Sequence, residues 1–430
     1  MSQPSTKSTT PESSSAIVSP KSLDICLLSY RGNPYSGGQG VYIKYLSRAL
    51  TQLGHSVDVI AGEPYPDVDS TVRLIKLPGE NIFEADSRIR AFDPAYIRSP
   101  TKLFEWASVI TGGFPEPYTF GKRVVEYFSE KKPQYDIVHD NQSLCYGLLE
   151  LAEMGIPLIA TIHHPITVDR EYDLAHADSI TRRLFIRRWY RFLSMQEQVV
   201  KNLQHIITVS EAAKQRTISD FNASPDVIEV IYNGIDTTQF VPRAEPITIP
   251  KQLIATVSSG LSLKGTKYLL EAFSVINNTD SETELHLIGS LDEQALSLAR
   301  KLNIIDNITT YSQISYNYMV DLYAQSSVAV VPSLYEGFGL PAGEAMACGV
   351  PVVATTGGGL PEVVGDAGML VSPGDATALA DGVLKLLEDD TFRHRLGRQA
   401  RQRITAEFNW ESTASRTVDC YREAIQHAHN

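Results

Sequence analysis

The chain has 430 residues, of which 43% are hydrophobic, 9% aromatic and 20% charged. This length predicts two or three domains, and the hydrophobic content excludes an intrinsically disordered chain. The 38 basic and 50 acidic residues give a formal net charge of -12, which argues against a general nucleic-acid binder that neutralises phosphates.

The N-terminal residues and the cysteines bear on the compartment. Residues 1–21 are rich in Ser, Thr and Pro and are predicted to be a disordered tail without a signal peptide. Cys26, Cys145, Cys348 and Cys420 lie far apart without CxxC spacing and are expected to be reduced packing residues. Since no apolar run reaches the ~18 residues of a membrane span, we expect a cytoplasmic protein.

The first half of the chain begins with a short apolar run, a glycine-rich loop and a helical pattern over 41–53. A strand, a glycine turn and a helix in this order open a doubly wound unit. Further buried strands are predicted over residues 56–61, 137–141, 157–164 and 205–210. The pattern predicts a parallel sheet covered on both faces. Residues 63–117 interrupt it and are predicted to be a long functional loop.

The second half of the chain repeats this architecture. Strands are predicted over residues 253–258, 284–289, 327–333, 351–355 and 369–373. The sequence therefore predicts an α/β protein with two Rossmann-like, doubly wound parallel-sheet domains facing each other across a cleft. Their boundaries are predicted at 22–240 and 241–408, followed by a C-terminal helix over 409–430.

Residues 333–364 are the richest loop at a predicted strand end, which is where open parallel sheets bind ligands. Gly337 and Gly339 let backbone amides approach an anion, and the helix near Pro341 points its positive end at the same place. Glu336 and Glu344 are separated by seven residues and suit sugar hydroxyls. The alternative is structural, with turn glycines and a charge at a helix N-terminus.

This segment resembles the E-x7-E donor site of the family 4 retaining glycosyltransferases. The resemblance covers nearly the whole chain from Leu23, in the family's order. The further matching segments are the Gly37-Gly38 loop, VHDN (138–141), TIHH (161–164), ITVSE (207–211), VIYNGIDTTQF (230–240), KGTKYLLEAF (264–273) and the Phe408/Trp410 helix. It implies the GT-B fold, with the donor nucleotide on the second domain, the acceptor on the first, and a last helix that crosses back to the first domain.

The resemblance also implies roles for individual residues. Glu336 would bind hydroxyls of the donor sugar, Glu344 the ribose, Lys264 the diphosphate, and His163 would lie near the sugar and the phosphate. The remaining donor-binding positions would be Gly37, Gly38, Ser259, Gly337, Phe338, Gly339 and Leu340. In the front-face route proposed for the family, the leaving phosphate takes the acceptor proton. A UDP-sugar is favoured over a GDP-sugar, the acceptor is a hydroxyl such as that of a lipid or glycan precursor, and no metal or cofactor is expected.

Two positions depart from the family's pattern. Ser259 stands where the family has an arginine, so the diphosphate loses a bidentate cation. His164, a candidate acceptor-side residue, follows His163 where the family often has an aspartate, so the pattern says less about the acceptor. The open alternatives are a sugar phosphorylase, a nucleotide-sugar epimerase and a non-catalytic binding scaffold.

Three further features have both a functional and a structural interpretation. The segment 80–117, with Arg88 and Trp106, is expected to select the acceptor or to cap the cleft. The Arg182–Arg191 helix is either a buried apolar stripe with a solvated basic face or a peripheral contact with an anionic membrane. Asp67 and Asp69 form a DxD pattern that we assign to chance rather than to a metal site.

Overall fold

The structure is a computed structural model that describes residues 22–33, 38–80, 82, 87, 90–243, 251–257 and 263–429. It contains two parallel β-sheets, each enclosed by helices. The strands of the first sheet are β1 (Asp24–Ser29), β2 (Ser56–Ala61), β3 (Arg73–Lys76), β4 (Ile137–Asn141), β5 (Leu158–Ile162), β6 (Ile206–Thr208) and β7 (Ile228–Val230). Its helices are α1 (Gly38–Gln52), α2 (Pro100–Ile110), α3 (Glu116–Lys131), α4 (Tyr146–Glu153), α5 (Thr167–Ala175), α6 (Ile180–Trp189), α7 (Leu193–Val200) and α8 (Glu211–Phe221).

The second sheet has six described strands. They are β8 (Gln252–Thr256), β9 (Glu284–Ile288), β10 (Ile308–Tyr311), β11 (Val328–Val331), β12 (Val352–Thr355) and β13 (Met369–Val371). The helices around it are α9 (Thr266–Thr279), α10 (Glu293–Lys301), α11 (Tyr316–Gln325), α12 (Leu340–Ala347), α13 (Leu360–Val364), α14 (Ala376–Glu388) and α15 (Asp390–Glu407), and the chain ends in α16 (Trp410–His429).

The two sheets share one topology. The first has the strand order β3-β2-β1-β4-β5-β6-β7, and the second has β10-β9-β8-β11-β12-β13. In both sheets the order reverses between the first and fourth strand, and ligands bind outside the carboxyl ends of the strands at such a switch point. The loops after β1, β4, β8 and β11 are therefore the places to search for a site.

Burial on both faces explains the apolar strands. Along β1 the side chains alternate: Cys26 and Leu28 pack with α3, α4 and α7, while Ile25 and Leu27 pack with α1 and α16. Each face is covered, so the strand is a continuous hydrophobic run instead of an alternating one. Three of the four cysteines are buried and all are free.

The last helix packs against the first sheet. Only Phe408 and Asn409 separate α16 from α15 of the second domain. Val418, Tyr421 and Ala424 of α16 are buried in the core between α1 and the first sheet. The chain thus returns from the second domain to cover the first.

The interpretation of residues 63–117 as one irregular loop is wrong in part. The segment contains the edge strand β3 and the helix α2. The short strand β3 is only partly buried, so it lacks the continuous apolar run that reveals the central strands. The same reason applies to β10, another edge strand that the sequence pattern did not reveal.

Candidate functional site

The switch point of the second sheet holds Lys264 and Glu336. Lys264 follows β8 and lies just before α9, and Glu336 follows β11. Gly265 has a φ of +73°, and a side chain there would collide with the backbone carbonyl of Pro332. Only glycine fits this left-handed close approach, which brings the loop after β8 against the loop after β11.

The Glu336 carboxylate is held by two side chains. Its Oε1 accepts from Lys264 Nζ at 2.7 Å and from Ser333 Oγ at 2.8 Å. Its backbone carbonyl accepts from the amide of Gly359 at 2.8 Å. The side chain is only 10% exposed, so the carboxylate has a fixed place before any ligand arrives. Such preorganisation is what a binding group for sugar hydroxyls requires.

The helix α12 adds amides and a second carboxyl. Gly339, with a φ of +111°, precedes Leu340 at the start of the helix, whose unpaired N–H groups favour an anion. Glu344 lies in the second turn and is buried. Burial raises the pKa of Glu344 to about 8. Tyr323 donates to its Oε2 at 3.5 Å, which opposes that rise only weakly.

The carboxyl ends of β4 and β5 in the first sheet carry Asn141 and His163. Asn141 Nδ2 donates to the carbonyl of Gln39 at 3.3 Å, so its Oδ1 faces His163 Nε2 at 2.6 Å. The imidazole therefore donates through Nε2. Burial lowers the pKa of His163 to about 3, and the neighbouring His164 lowers it further. His163 is neutral near pH 7 and can act as a hydrogen-bonding group, not as a cation.

Gln142 fixes the backbone that follows β5. Its Oε1 accepts from the amide of His163 at 2.7 Å, and its Nε2 donates to the carbonyl of His164 at 2.5 Å. The side chain of His164 contacts the carboxylate of Asp169, and its ring lies 5.1 Å from the ring of Tyr335 in the second domain. Its Nδ1 has no hydrogen-bond partner among the residues that the structure describes.

Gly38 at the start of α1 and His163 after β5 both lie against the segment 337–340 of the second domain. A side chain at Gly38 would contact Leu340, and one at Gly337 would collide with the backbone carbonyl of His163. Ser210 Oγ donates to the carbonyl of Gly337 at 2.5 Å. The predicted residues Gly38, His163, Gly337, Leu340 and the Lys264–Glu336 pair therefore lie on facing walls of one cleft.

A third contact joins the domains beside the cleft. The carboxylate of Glu362 on α13 accepts from the amides of Glu211 and Ala212 at 2.8 and 3.0 Å. These are the first amides of α8, so a side chain of the second domain caps a helix of the first. Phe338, between the two cleft glycines, is buried against Phe408.

Several predicted site residues cannot be placed at the cleft from the described residues. Gly37, Ser259 and Arg88 lie outside the described residues. Trp106 lies on α2, with its ring 4.7 Å from that of Phe92, and its role toward an acceptor stays a prediction. Asn141 and Gln142, which hold His163 and His164, were not singled out from the sequence. Their position directly at the end of β4 is the signal that could have identified them.

The DxD pattern has a structural explanation. Asp67 pairs with Lys44 at 2.6 Å, and Asp69 makes a bidentate pair with Arg48 at 2.6 and 2.8 Å. Both partners lie on α1. The two aspartates tie the loop after β2 to this helix.

The interpretation of the Arg182–Arg191 helix as a buried apolar stripe is wrong in part: Phe192 packs on the core and Trp189 stacks on Phe114, but Phe185 is exposed. On α6, Leu184 and Phe185 are 59% and 57% exposed, and among its hydrophobic residues only Ile186 is buried. Arg188 donates to Ser108 Oγ and Thr111 Oγ1, which joins α6 to α2. The described helices include none that is long and apolar enough to cross a membrane.

Comparison with known proteins identifies the family of the chain. The family described as glycosyltransferase family 4 matches residues 36–239, and glycosyl transferases group 1 matches residues 239–403. An MMP alpha-(1->4)-mannosyltransferase of Mycolicibacterium hassiacum is 41% identical, over 93% of this chain and 98% of that protein. A D-inositol 3-phosphate glycosyltransferase of Corynebacterium glutamicum is 27% identical, over 93% and 94%.

A solved structure matches the whole fold. Sucrose-phosphate synthase from Thermosynechococcus elongatus superposes with a TM-score of 0.70 at 26% identity, covering 94% of this chain and 99% of that chain. The predicted GT-B fold is thereby confirmed. The chain belongs to the family 4, group 1 glycosyltransferases, and its activity is that of a glycosyltransferase.

Proposed function

We propose that this glycosyltransferase is a retaining, metal-independent enzyme that moves a hexosyl unit from a nucleotide-diphospho-sugar to an acceptor hydroxyl. The 41% identical mannosyltransferase favours a mannosyl unit. A lipid or glycan precursor remains the proposed acceptor class. The preference for a uridine donor stays a prediction from the sequence.

The observation that carries the proposal is that one wall of the cleft presents charged groups and the other presents a neutral hydrogen-bonding side chain. Lys264 and the amides at the start of α12 form an anion site, with Glu336 and the buried Glu344 on the same wall. His163 lies opposite, against Gly337. This arrangement fits a diphosphate and a ribose on the second domain with the sugar directed at the first.

The proposed reaction needs no protein base. The acceptor oxygen forms a bond to the anomeric carbon, the bond from that carbon to the diphosphate oxygen breaks, and the acceptor proton passes to the departing phosphate. Lys264 and the helix amides stabilise the charge on the leaving group, in the place a metal ion would take. The neutral His163 and the paired Glu336 orient the sugar.

Nucleotide release from UDP- and GDP-mannose and from UDP- and GDP-glucose tests this proposal. We expect nucleotide release from either the UDP-sugars or the GDP-sugars but not from both, and EDTA should not diminish it. The anomeric configuration of the product should equal that of the donor. Glu336→Ala should lower turnover about 100-fold or more, while the exposed Glu293→Ala should not. Release that needs added divalent metal, an inverted product, or full turnover by Glu336→Ala would contradict it. A requirement for inorganic phosphate would favour the phosphorylase.

We also propose that α6 makes peripheral contact with an anionic bilayer. Leu184 and Phe185 are exposed together with Arg182, Arg183 and Arg187 on the same short helix. Apolar side chains beside several arginines suit the boundary of anionic head groups, each basic residue adding ~1 kcal/mol. In a symmetric dimer these like charges would face each other and repel, which favours the lipid surface over a second copy of the chain.

Co-sedimentation with vesicles tests this contact. We expect binding to vesicles containing phosphatidylglycerol at modest salt and none to pure phosphatidylcholine. Replacing Arg183, Arg187 and Arg191 with glutamine should abolish it, and Leu184→Ala with Phe185→Ala should weaken it. Equal binding by the arginine variant, or no binding by the natural chain, would remove the proposal.

A further inference from the structure

A chain of buried polar side chains lies next to His163. Tyr421 OH on α16 lies 2.6 Å from His139 Nδ1, and His139 Nε2 lies 2.7 Å from Thr161 Oγ1. Thr161 Oγ1 in turn lies 3.1 Å from the hydroxyl of Tyr42 on α1. All four side chains are at most 2% exposed. The hydrogen bonds therefore connect the last helix, two central strands and the first helix without passing through solvent.

The protonation state of His139 couples the directions of its two hydrogen bonds. Burial lowers the pKa of His139 to about 3, so the imidazole is neutral and has one N–H and one acceptor nitrogen. When Tyr421 donates to Nδ1, Nε2 donates to Thr161; when Thr161 donates to Nε2, Nδ1 donates to Tyr421. Loss of the Tyr421 hydroxyl leaves Nδ1 of His139 unpaired, and loss of the Tyr42 hydroxyl removes one partner of Thr161 Oγ1, so a change at either end alters a neighbouring link of the chain.

The chain runs on the strands that carry the site. His139 precedes Asn141 by two residues on β4, and Thr161 on β5 precedes by two residues His163, which directly follows the strand. Side chains two apart on a strand share a face, so each link lies beside a residue of the candidate site. Movement of His139 or Thr161 would shift the ends of both strands.

Tyr42 contacts His163 directly. The ring of Tyr42 lies edge-on to the imidazole of His163, with centroids 4.5 Å apart and an interplanar angle of 77°. The same ring also contacts that of Trp410, the first residue of α16, with centroids 5.9 Å apart. Trp410 also stacks on Tyr45 at 5.5 Å. Two residues of α16 therefore act on Tyr42: Trp410 at its start through ring contact, and Tyr421 in the middle of the helix through the hydrogen-bonded chain.

We propose that Tyr421 and Tyr42 are positioning residues through which the C-terminal helix holds His163 in the orientation that transfer requires. Because α16 continues directly from α15, this contact links the seating of the second domain to the imidazole in the first. The inference rests on the proposed role of His163 toward the donor sugar and adds residues that do not touch the substrate.

The test uses Tyr421→Phe and Tyr42→Phe, which keep the rings and remove the hydroxyls. We expect kcat to fall about tenfold in each, with the donor KM changed less than twofold, because orientation is lost while the donor site is intact. The double variant should lose no more than the more impaired single variant, since both hydroxyls belong to one chain. Tyr190→Phe is the matched control: its buried hydroxyl donates to Asp173 at 2.8 Å, away from this chain.

A second measurement separates this inference from the proposed function. In protein labelled with ¹⁵N-histidine, the ring nitrogens of His163 should shift in Tyr421→Phe and Tyr42→Phe but not in Tyr190→Phe, whatever donor the enzyme uses. Additive losses in kcat, or a kcat unchanged while unfolding free energy falls as in Tyr190→Phe, would overturn the proposal. An unchanged His163 spectrum would overturn it too. Failure of nucleotide release in the natural chain would instead count against the proposed function.

Discussion

The second domain presents two charged side chains to the cleft, Lys264 and Glu336. The first presents the neutral imidazole of His163, which is held by the side-chain oxygen of Asn141. Both sets follow strands of sheets with the same order around the switch point. One topology therefore provides two kinds of wall. The charged wall suits an anionic nucleotide, and the neutral wall suits sugar hydroxyls, which form hydrogen bonds without needing a counter-ion.

The largest effect is expected when the cation is removed from the charged wall. Lys264→Ala should lower kcat about 10³-fold, because the leaving diphosphate loses its positive partner. Among the described residues, Glu336 pairs with no other cation that could replace Lys264 at this place. Lys267→Ala, one turn along α9, is the matched control and should leave kcat unchanged. Steady-state nucleotide release measures both. A loss below tenfold in Lys264→Ala would mean that the helix amides alone stabilise the leaving group.

A smaller effect concerns the pH dependence of stability. Glu344 has a folded-state pKa of about 8 against an ordinary value of 4.5, so the folded protein binds this proton more tightly. Its contribution to unfolding free energy is fully present below pH 4.5 and is lost as the pH rises through 8, at up to about 1.4 kcal/mol per pH unit. Glu344→Gln should lessen this decline, measured by urea unfolding of the ligand-free protein between pH 5 and 8.5. Parallel curves would contradict the assignment.

The contact between the walls should give a still smaller effect. Glu362→Ala removes the acceptor of the first two amides of α8, while the N-cap Ser210 stays in place, and should lower the unfolding free energy by about 1 kcal/mol. The exposed Glu153→Ala should change it by less than half of that. Chemical denaturation at pH 7 gives both values, and equal losses would show that the cap contributes nothing.

The smallest effect is expected outside the cleft. Asp67→Asn with Asp69→Asn breaks two partly exposed ion pairs with α1 and should cost less than about 1 kcal/mol of stability. Turnover should stay at the natural level with or without EDTA. A large loss of turnover in this variant would instead make the DxD pattern a functional metal site.

Prediction from the sequence was strongest where one residue type suits both the local backbone and the chemistry. The glycines at 265 and 339 adopt positive φ, and Lys264 and Glu336 lie next to such turns. It was weakest for partners distant in sequence. Asn141 at the end of β4 bonds His163 at the end of the neighbouring strand β5, and Tyr421 bonds His139 at a sequence separation of 282 residues. No local sequence pattern indicates such pairs.

The sequence by itself determined the two doubly wound domains and the strand-end loops that carry Lys264 and Glu336, because buried parallel strands and glycine turns leave a local periodicity in the chain. Tertiary structure alone decided which groups face each other: Gly337 against His163, Glu362 on α8, and α16 over the first sheet. It also decided the exposure of Phe185, since helical spacing defines a face but not what covers it. Those outcomes depend on packing between distant segments, and packing is a property of the assembled fold.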